Sequence, residues 1–512
     1  MGEPTRDGAP WGVRLHSILD DAARRRPDAP AVRDERGGWS YAELADHSRR
    51  FAHWLRERGV RPGDRVLLRT ANRREQVAMV FGAARAGAIA VPVHRDLKPF
   101  LLADLVADAD PAVVVLEDGD TDGWASVGGR AAVGVTELWT RLDGTGTVAD
   151  APEADTIPAD LCLMIYTSGS TSRPKAVTSS HAQVHFATLA IAERLGYRAD
   201  DVVFVRLPLS FDYGLYQVFL AALSTASVVF SDSGPDLTLD RQIRAAGATV
   251  VPLVPSIAAT LTALAERVRP GAPQPAPSPV RLFTNTGAAM SAQTIDRLRR
   301  AYPDARICLM FGITECKRVT IGEPDGDLTR PNSVGRPLPG TQVQILTEAG
   351  TPAPAGEVGE IVVRGPHVMT GYWRAPELTA ARFRADPRTG ERRLHTGDYG
   401  YLDADGHLYF TGRRDDIVKR RGLRVSLIEI ESAVSRVPGV SQCAAVHDAD
   451  GDRLDVYVTG TVTADDVLRQ LGQWLDPARR PDSCHLVDRL PVTGNGKIDR
   501  AALRRRTEEL PA

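Results

Sequence analysis

Lysine is scarce in this chain of 512 residues, and its scarcity gives weight to the few positions that keep it. Only five of the 63 basic residues are lysines, and the others are arginines. Lysine carries a compact charge on a flexible stem, which a planar guanidinium does not replace. Any single lysine is about as easily retained by chance as for a function. The motif around each lysine is therefore needed to distinguish the two explanations. The five are Lys98, Lys175, Lys317, Lys419 and Lys497.

Three other absences narrow the class of protein. The formal net charge is only −2, so no overall field favours nucleic acid or an anionic membrane surface. None of the five cysteines stands in a Cys-x-x-Cys pair, which leaves a zinc site or a disulfide framework without support. No apolar run reaches membrane-spanning length or follows the N-terminus as in a signal peptide. We therefore expect a cytoplasmic protein that binds neither nucleic acid nor membrane.

The first part of the chain alternates helical patterns with short apolar strands, at residues 64–68, 88–93 and 112–116. Buried strands separated by helices indicate a parallel sheet that is covered on both faces. After residue 412 the pattern changes to the shorter helices and strands of an α+β unit. We place a domain boundary at residues 413–415.

A predicted strand at residues 161–165 leads into a loop of small hydroxyl residues that ends at Lys175. Such a loop presents backbone N–H and side-chain O–H donors to one point, as phosphate oxygens require. It is not a P-loop, because Gly-x-x-x-x-Gly-Lys is absent. A plain polar surface loop is the alternative, and the strand before it and Lys175 after it favour the phosphate site. The candidate phosphate ligands are Thr167, Ser168, Gly169, Ser170 and Thr171.

Further motifs follow this loop at residues 285–289, 311–315, 356–361 with 371–372, 396–398, 412–419 and 495–500. Together with the loop, and in this order, they resemble the adenylate-forming superfamily of acyl-CoA synthetases, nonribosomal peptide synthetase adenylation domains and luciferases. The resemblance spans residues 40 to 505, and the joint order is far more specific than any one motif. The chain departs from the family pattern where Ser172 and Ala176 replace glycines of the loop.

The resemblance implies a large N-terminal α/β domain of several subdomains at residues 1–413 and a smaller, mobile α+β domain at residues 414–512. It implies an AMP-forming acid–thiol ligase that uses ATP and Mg²⁺ to join a carboxylate to AMP and then passes the acyl group to a thiol. Between the two steps the C-terminal domain would rotate about Asp415. Because no carrier module follows residue 505, we expect the thiol of a separate carrier protein or of coenzyme A.

Several residues of these motifs suit the nucleotide. Phe311 can stack on a flat base while the backbone of Gly312 passes close to it. Asp398 can accept the ribose hydroxyls, and Arg413 can reach the ribose and the phosphates. The resemblance adds an adenine-lining turn at Gly287, Ala288 and Ala289.

The reacting phosphate needs positive charge around it. Glu315 is suited to hold Mg²⁺, a hard cation that bridges carboxylate and phosphate oxygens, and Thr314 can donate to the α-phosphate. Lys497 lies in a glycine-flanked loop that can enter a cleft. There it would stabilise the negative charge that grows as the carboxylate attacks the α-phosphorus. A solvated lysine is the alternative for Lys497, and we assign it to catalysis with Thr314, Glu315 and Lys175.

The pair Phe211 and Asp212 bears on the identity of the acid. In amino-acid-activating members of the superfamily, a Phe-Asp pair at this place sets the aspartate against the substrate ammonium. An unpaired buried aspartate is costly, so an ammonium partner is attractive. The alternative is that Asp212 caps a helix at residues 213–222. We also assign Thr286 to the substrate.

Two adjacent cations, Lys317 and Arg318, lie shortly after Glu315. At these positions members of the superfamily often have small or apolar residues. If the segment is an extended strand, neighbours point to opposite faces, and only one of the two can reach the acid pocket. An inward Arg318 would favour a dicarboxylic or otherwise oxygen-rich acid through paired hydrogen bonds. The alternative leaves both structural, one in a salt bridge and one in solvent.

The sequence therefore favours an enzyme that adenylates an amino acid (α, imino or β) and loads it on a discrete carrier protein. The second hypothesis is an acyl-CoA or aryl-CoA ligase. A non-catalytic binding protein that retains the fold is disfavoured, because every reactive motif is intact.

Replacement of Lys497 by alanine should separate the two half-reactions. We expect Lys497→Ala to abolish adenylate formation and to leave thiol transfer from pre-formed acyl-AMP largely intact, because the charge is needed only while phosphoryl charge develops. Pyrophosphate exchange measures the first step, and thioester formation from synthetic acyl-AMP measures the second. Equal loss of both steps would contradict the assignment.

Overall fold

Helices and strands alternate along the chain in the computed structural model. It describes residues 14–97, 99–120, 124, 132–144, 154, 156–167, 175–231, 236–266, 278–386, 389–413, 417–420, 423–448, 453–477, 479–493 and 498–509. The α-helices, in chain order, are α1 Leu15–Arg25, α2 Tyr41–Glu57, α3 Arg74–Arg85, α4 Pro99–Ala109, α5 Val135–Asp143, α6 His181–Leu195, α7 Asp212–Ser224, α8 Leu239–Ala245, α9 Pro255–Glu266, α10 Ala292–Ala301, α11 Pro376–Arg382, α12 Leu427–Val434, α13 Ala464–Trp474 and α14 Arg500–Glu509. Single 3₁₀ turns lie at Asp236–Thr238 and Gly326–Leu328.

The strands, in the same order, are β1 Pro30–Asp34, β2 Gly37–Ser40, β3 Arg65–Arg69, β4 Ile89–Pro92, β5 Val113–Leu116, β6 Ala132–Gly134, β7 Leu161–Thr167, β8 Lys175–Ser180, β9 Val202–Val205, β10 Ser227–Phe230, β11 Val250–Leu253, β12 Leu282–Asn285, β13 Arg306–Phe311, β14 Thr320–Ile321, β15 Arg336–Pro337, β16 Gln342–Leu346, β17 Gly359–Arg364, β18 Gly371–Tyr372, β19 Phe383–Ala385, β20 Arg392–Leu402, β21 Leu408–Arg413, β22 Ile417–Arg420, β23 Leu423–Ser426, β24 Val440–Asp448, β25 Arg453–Gly460 and β26 Ser483–Leu486.

Two large sheets contain the strands before β16, and the first of them also includes β18. The first has the strand order β18-β8-β7-β4-β3-β5-β6, in which β7, β4, β3, β5 and β6 are parallel and the other two are antiparallel. The second has the order β15-β14-β13-β12-β11-β9-β10-β1-β2, with parallel strands from β13 to β1 and antiparallel strands at both edges. The strands predicted near residues 64–68, 88–93 and 112–116 are β3, β4 and β5.

The largest hydrophobic core joins the two sheets through a shared layer of helices. It contains buried residues of α1, α2, α3, α6 and α7, together with Val66 and Val115 of the first sheet and Val203 and Val228 of the second. The opposite faces are covered separately, by α4 on the first sheet and by α8, α9 and α10 on the second. Each sheet is therefore buried on both faces, as its continuous runs of apolar residues require.

The rest of the chain forms smaller units. Strands β16, β17, β20 and β19 make an antiparallel sheet in which β21 also pairs with β20, and β22 pairs with β23. Strands β24, β25 and β26 form a three-stranded sheet whose core includes residues of α12 and α13. A large α/β part followed by a small α+β part confirms the predicted fold class, and the boundary at residue 413 stays a prediction. In the part of the chain described here, no helix is both long and apolar enough to span a membrane.

Gly335 should be more sensitive to a side chain than other glycines with the same backbone conformation. Its φ is 89°, and a Cβ there would overlap the backbone of Ile321 and Gly322 in β14 and just after it. Gly356 has a φ of 83° but no atom near its Cβ position. We expect Gly335→Ala to lower the free energy of unfolding by about 2 kcal/mol more than Gly356→Ala, because both changes strain the backbone and only the first adds a clash. Urea unfolding followed by tryptophan fluorescence measures the difference, and equal losses would contradict the prediction.

Candidate active site

The two ends of the predicted phosphate loop are held opposite each other. β7 ends at Thr167, β8 begins at Lys175, and these two residues are cross-strand partners. Ser168, Gly169, Ser170 and Thr171 lie outside the described residues. A capping box then starts α6 directly after β8, because Ser180 Oγ accepts a hydrogen bond from the backbone of Gln183, whose side chain accepts one from the Ser180 N–H.

The predicted adenine turn follows β12. Thr286 is buried, and among the described residues its hydroxyl has no hydrogen-bond partner. Gly287 has a φ of 87°, and Ala288 and Ala289 are exposed. Small exposed side chains at the end of a buried strand leave room for a flat ring, and the unpaired hydroxyl of Thr286 remains available to a ligand.

Phe311 ends β13 and is only 7% exposed. One face of its ring stacks on Phe410 at a centroid distance of 5.3 Å. Base stacking by Phe311 therefore stays a prediction that concerns its opposite face. Only glycine fits at position 312, because a Cβ there would overlap the carbonyl of Lys317 and the Cα of Arg318.

Asp398 lies in a turn of β20 that is held from several directions. The Thr396 hydroxyl donates to the carbonyl of Ile361 over 2.6 Å and accepts from the Asp398 N–H over 3.0 Å. The Gly397 N–H donates to Glu360 over 3.1 Å. Burial acts to raise the pKa of Glu360, but hydrogen bonds from His395 and from this N–H outweigh it and lower the pKa. These contacts fix the backbone of the turn that carries Asp398, and binding of the ribose hydroxyls by its carboxylate stays a prediction.

Arg413 pairs with the carboxylate of Asp398, with 3.3 Å between Nε and Oδ1. Its side chain is 58% exposed, whereas that of Asp398 is almost fully buried. An exposed guanidinium beside a fixed carboxylate can turn toward a ligand at little cost, as the nucleotide assignment of Arg413 requires. The proposed hinge at Asp415 and the proposed catalytic Lys497 lie outside the described residues. The ends of the Lys497 loop are joined by a bridge between Val492 and Ile498.

Asp212 is the first residue of α7 and is buried. The N-cap is Phe211, and no side-chain capping hydrogen bond is formed, so the capping alternative for Asp212 is wrong. Its Oδ1 accepts from Thr314 Oγ1 and its Oδ2 from Arg318 Nη1, each over 3.4 Å. Both contacts are long for hydrogen bonds to a carboxylate, so the charge is only loosely satisfied by the protein.

The cation pair after Glu315 is not arranged as a strand. Lys317 has a φ of 64°, so the chain turns there and the expectation of an extended strand is wrong. Which of the two cations faces the acid stays a prediction. Both side chains are buried, at 2% exposure for Lys317 and 4% for Arg318. Lys317 Nζ donates to the Thr314 carbonyl over 3.0 Å. Strand periodicity therefore missed Lys317 as a site residue, although the scarcity of lysine pointed to it.

Arg318 is held more firmly than Lys317. Its Nη1 donates to the Lys317 carbonyl over 2.7 Å, and its guanidinium lies 4.5 Å from the centre of the Tyr213 ring. The Tyr213 hydroxyl in turn donates to the Thr284 carbonyl over 2.7 Å. Burial lowers the pKa of Lys317, while the charges of Asp212 and other neighbours act against this shift. The predicted acid pocket thus contains one fixed guanidinium and one amine whose pKa is lowered by burial.

Glu315 connects this pocket with the predicted nucleotide site. It is partly exposed, and its Oε1 accepts a hydrogen bond from the Tyr372 hydroxyl over 2.6 Å. Thr314, next to it, contacts Asp212. The described geometry therefore brings together Asp212, Thr314, Glu315 and Arg318, as the sequence predicted, and adds Lys317, Tyr213 and Tyr372, which it did not.

Comparison with known proteins identifies the family. AMB antimetabolite synthetase AmbB from Pseudomonas aeruginosa is 32% identical over 97% of the chain, and the chain spans only 39% of that protein. A feruloyl-CoA synthase from an Amycolatopsis species is 31% identical and is matched over 98% of its length. Crystal structures of VinN include complexes with L-aspartate and with 3-methylaspartate. VinN alone is 45% identical over 78% of this chain and 99% of its own, with a TM-score of 0.71.

Two family descriptions account for most of the chain. Residues 19–373 match the AMP-binding enzyme family, and residues 429–497 match the AMP-binding enzyme C-terminal domain. The first segment contains the phosphate loop, the adenine turn and the 311–315 motif. The second segment ends at Lys497. The chain therefore belongs to the AMP-binding enzyme family and is an adenylate-forming, AMP-forming ligase that depends on ATP.

Proposed function

We propose that this enzyme adenylates an amino acid that carries a second carboxylate, and that it passes the acyl group to the phosphopantetheine thiol of a separate carrier protein. The observation that carries the proposal is the burial of Asp212 with Lys317 and Arg318 in one pocket. A substrate ammonium satisfies Asp212, and a substrate carboxylate then satisfies the two cations. Buried charges are stable only when they are paired, so a substrate with one charge leaves a costly remainder.

The distances within the pocket indicate which carboxylate is activated. Asp212 Oδ2 and Arg318 Nη1 are 3.4 Å apart, so the ammonium and carboxylate they bind must be close neighbours in the substrate. An α-amino acid has these two groups on one carbon. The carboxylate that is free to reach the α-phosphate is then the one on the side chain, as in an acid of the aspartate type. VinN, which has been solved with L-aspartate and with 3-methylaspartate, supports this choice.

The remaining roles follow the sequence assignments. Phe311, Asp398, Arg413 and the 287–289 turn bind the nucleotide, Thr286 contacts the acid, and Lys175 and Lys497 balance the charge of the nucleotide phosphates. Glu315 fits a magnesium ligand, because within the described residues only one of its oxygens has a protein partner. Magnesium would supply positive charge to the phosphates. The rotation about Asp415 between adenylation and thiol transfer remains part of the proposal.

The alternative is an acyl-CoA or aryl-CoA ligase, which the similarity to a feruloyl-CoA synthase favours. The uncharged aryl group of such an acid would offer no partner to the buried charges of Asp212, Lys317 and Arg318. Burying these charges without a ligand partner is costly, which argues against an aryl-CoA ligase. Coenzyme A and a phosphopantetheinylated carrier protein, offered separately to the acyl-adenylate and followed by mass spectrometry, distinguish the two acceptors.

Substrates that lack one charge should identify the partner of each pocket residue. We expect pyrophosphate exchange to favour L-aspartate strongly over succinate, which lacks the ammonium, and over β-alanine, which lacks the α-carboxylate. Asp212→Asn should lower kcat/KM for aspartate by an amount equivalent to roughly 2–4 kcal/mol, with little change in the KM of ATP. The preference of the enzyme for aspartate over succinate should fall as well. Arg318→Gln should lower the preference for aspartate over β-alanine in pyrophosphate exchange.

Hydroxylamine trapping of the adenylate adds a direct product test, and the side-chain hydroxamate is the expected product. A preference for proline or an aryl acid, with Arg318→Gln without effect, would make Arg318 structural and overturn the proposal.

Binding of aspartate should take up a proton through Lys317. Burial lowers the pKa of this amine in the empty pocket, and a carboxylate beside it favours the ammonium and raises the pKa again. Uptake should therefore grow as the pH rises toward the lowered pKa of Lys317 in the empty pocket. Calorimetry in buffers of different ionisation enthalpy measures it. Lys317→Arg is the control, because a guanidinium stays charged, and equal uptake by both proteins would contradict the assignment.

A further inference from the structure

Residues 369–373 connect the loop that carries Glu315 with strand β8, which leaves the phosphate loop. On one side, the Met369 N–H donates to the Glu315 carbonyl over 3.1 Å. On the other side, β18 pairs antiparallel with β8, and the Trp373 N–H donates to the Ala176 carbonyl over 2.9 Å. The segment therefore holds two parts of the nucleotide site in a fixed relation.

Tyr372 makes one further hydrogen bond that this connection does not need. Its hydroxyl donates to Glu315 Oε1 over 2.6 Å. The rest of the residue is held independently, because its N–H donates to Thr379 Oγ1 over 3.0 Å and its ring packs edge-on against Phe383 at a centroid distance of 5.9 Å. A phenylalanine at this position would keep the same backbone and ring contacts and would lose only the bond to the carboxylate.

The direction of this hydrogen bond is fixed. Tyr372 Oη lies 2.6 Å from Glu315 Oε1, and between a phenol and a carboxylate the phenol O–H is the donor. Such a bond to an ionised carboxylate is short and strong. It commits Oε1 and limits rotation of the carboxylate, and within the described residues Oε2 is left without a protein partner.

We propose that Tyr372 is a positioning residue for the metal–nucleotide complex. It holds Glu315 Oε1 through its hydroxyl and thereby directs Oε2 toward the metal. Because the 369–373 segment is also paired with β8, the carboxylate is positioned relative to the strand that follows the phosphate loop. The inference rests on the proposed function in one respect, namely that Glu315 holds the metal.

Direct binding of Mn²⁺ with ATP tests this role without turnover. We expect Tyr372→Phe to weaken Mn²⁺ binding to the enzyme–ATP mixture by roughly ten- to a hundred-fold, as expected for loss of a hydrogen bond to a charged group. Electron paramagnetic resonance measures this binding. In the exchange assay, excess Mg²⁺ should restore kcat, and the KM of the acid should stay unchanged, because the lost bond is to Glu315 and not to the acid pocket.

Tyr302→Phe is the matched control. Tyr302 is also buried and donates to a carboxylate, that of Asp240, over 2.6 Å, but it lies in the core between α8 and β12. Its replacement should leave Mn²⁺ binding unchanged. If both variants weaken metal binding equally, or if Tyr372→Phe weakens metal and acid alike, the role of Tyr372 is structural and the inference is overturned.

Glu315→Gln separates this inference from the proposed function. If it weakens Mn²⁺ binding while Tyr372→Phe does not, the positioning role alone is overturned. If Glu315→Gln leaves Mn²⁺ binding unchanged, the assignment of the metal to Glu315 fails, and the role of Tyr372 fails with it. Weakening by both variants, with Tyr302→Phe unaffected, supports the inference.

Discussion

The candidate site depends on the close approach of Gly312 to the backbone of Lys317 and Arg318. A side chain at Gly312 would overlap both residues, and the left-handed conformation of Lys317 completes the tight return of the chain. Only this return lets Arg318 reach Asp212, which lies 106 positions earlier in the sequence. The same few residues place Thr314 against Asp212. The arrangement of these charged side chains therefore depends on backbone geometry as well as on ionic contacts.

The ionic contacts within the pocket are left incomplete, which suits a binding site better than a structural ion pair. The Asp212–Arg318 separation of 3.4 Å is long, and both groups are buried, so their attraction recovers little of the cost of removing them from water. Arg318 compensates through the Lys317 carbonyl and the Tyr213 ring. Among the residues that the structure describes, Asp212 has only the long contact from Thr314 besides its pairing with Arg318. A ligand ammonium would therefore form its most stabilising contact with Asp212.

The sequence predicted the features that depend on local apolar pattern and on motif order, and it missed an individual side-chain contact and a local backbone turn. The apolar runs identified β3, β4, β5 and β7 because strands buried on both faces need them. The motifs correctly grouped Asp212, Thr314 and Glu315. The bond between Tyr372 and Glu315 had no signal, because it joins residues 57 positions apart through a side chain. Lys317 was misplaced because a period of two was assumed for a segment whose backbone turns.

The two cations of the pocket divide the recognition of one carboxylate between them. Arg318 is always charged, and its planar fork is held by the Tyr213 ring, so it fixes direction. Lys317 has a flexible stem, a hydrogen bond to the Thr314 carbonyl, a position 6.0 Å from the centre of the Tyr216 ring, and a pKa lowered by burial. It can release a proton while the pocket is empty, which reduces the charge that must stay buried without a partner. An arginine at this position could not do so, and this gives a physical reason for a lysine in a chain that otherwise uses arginine.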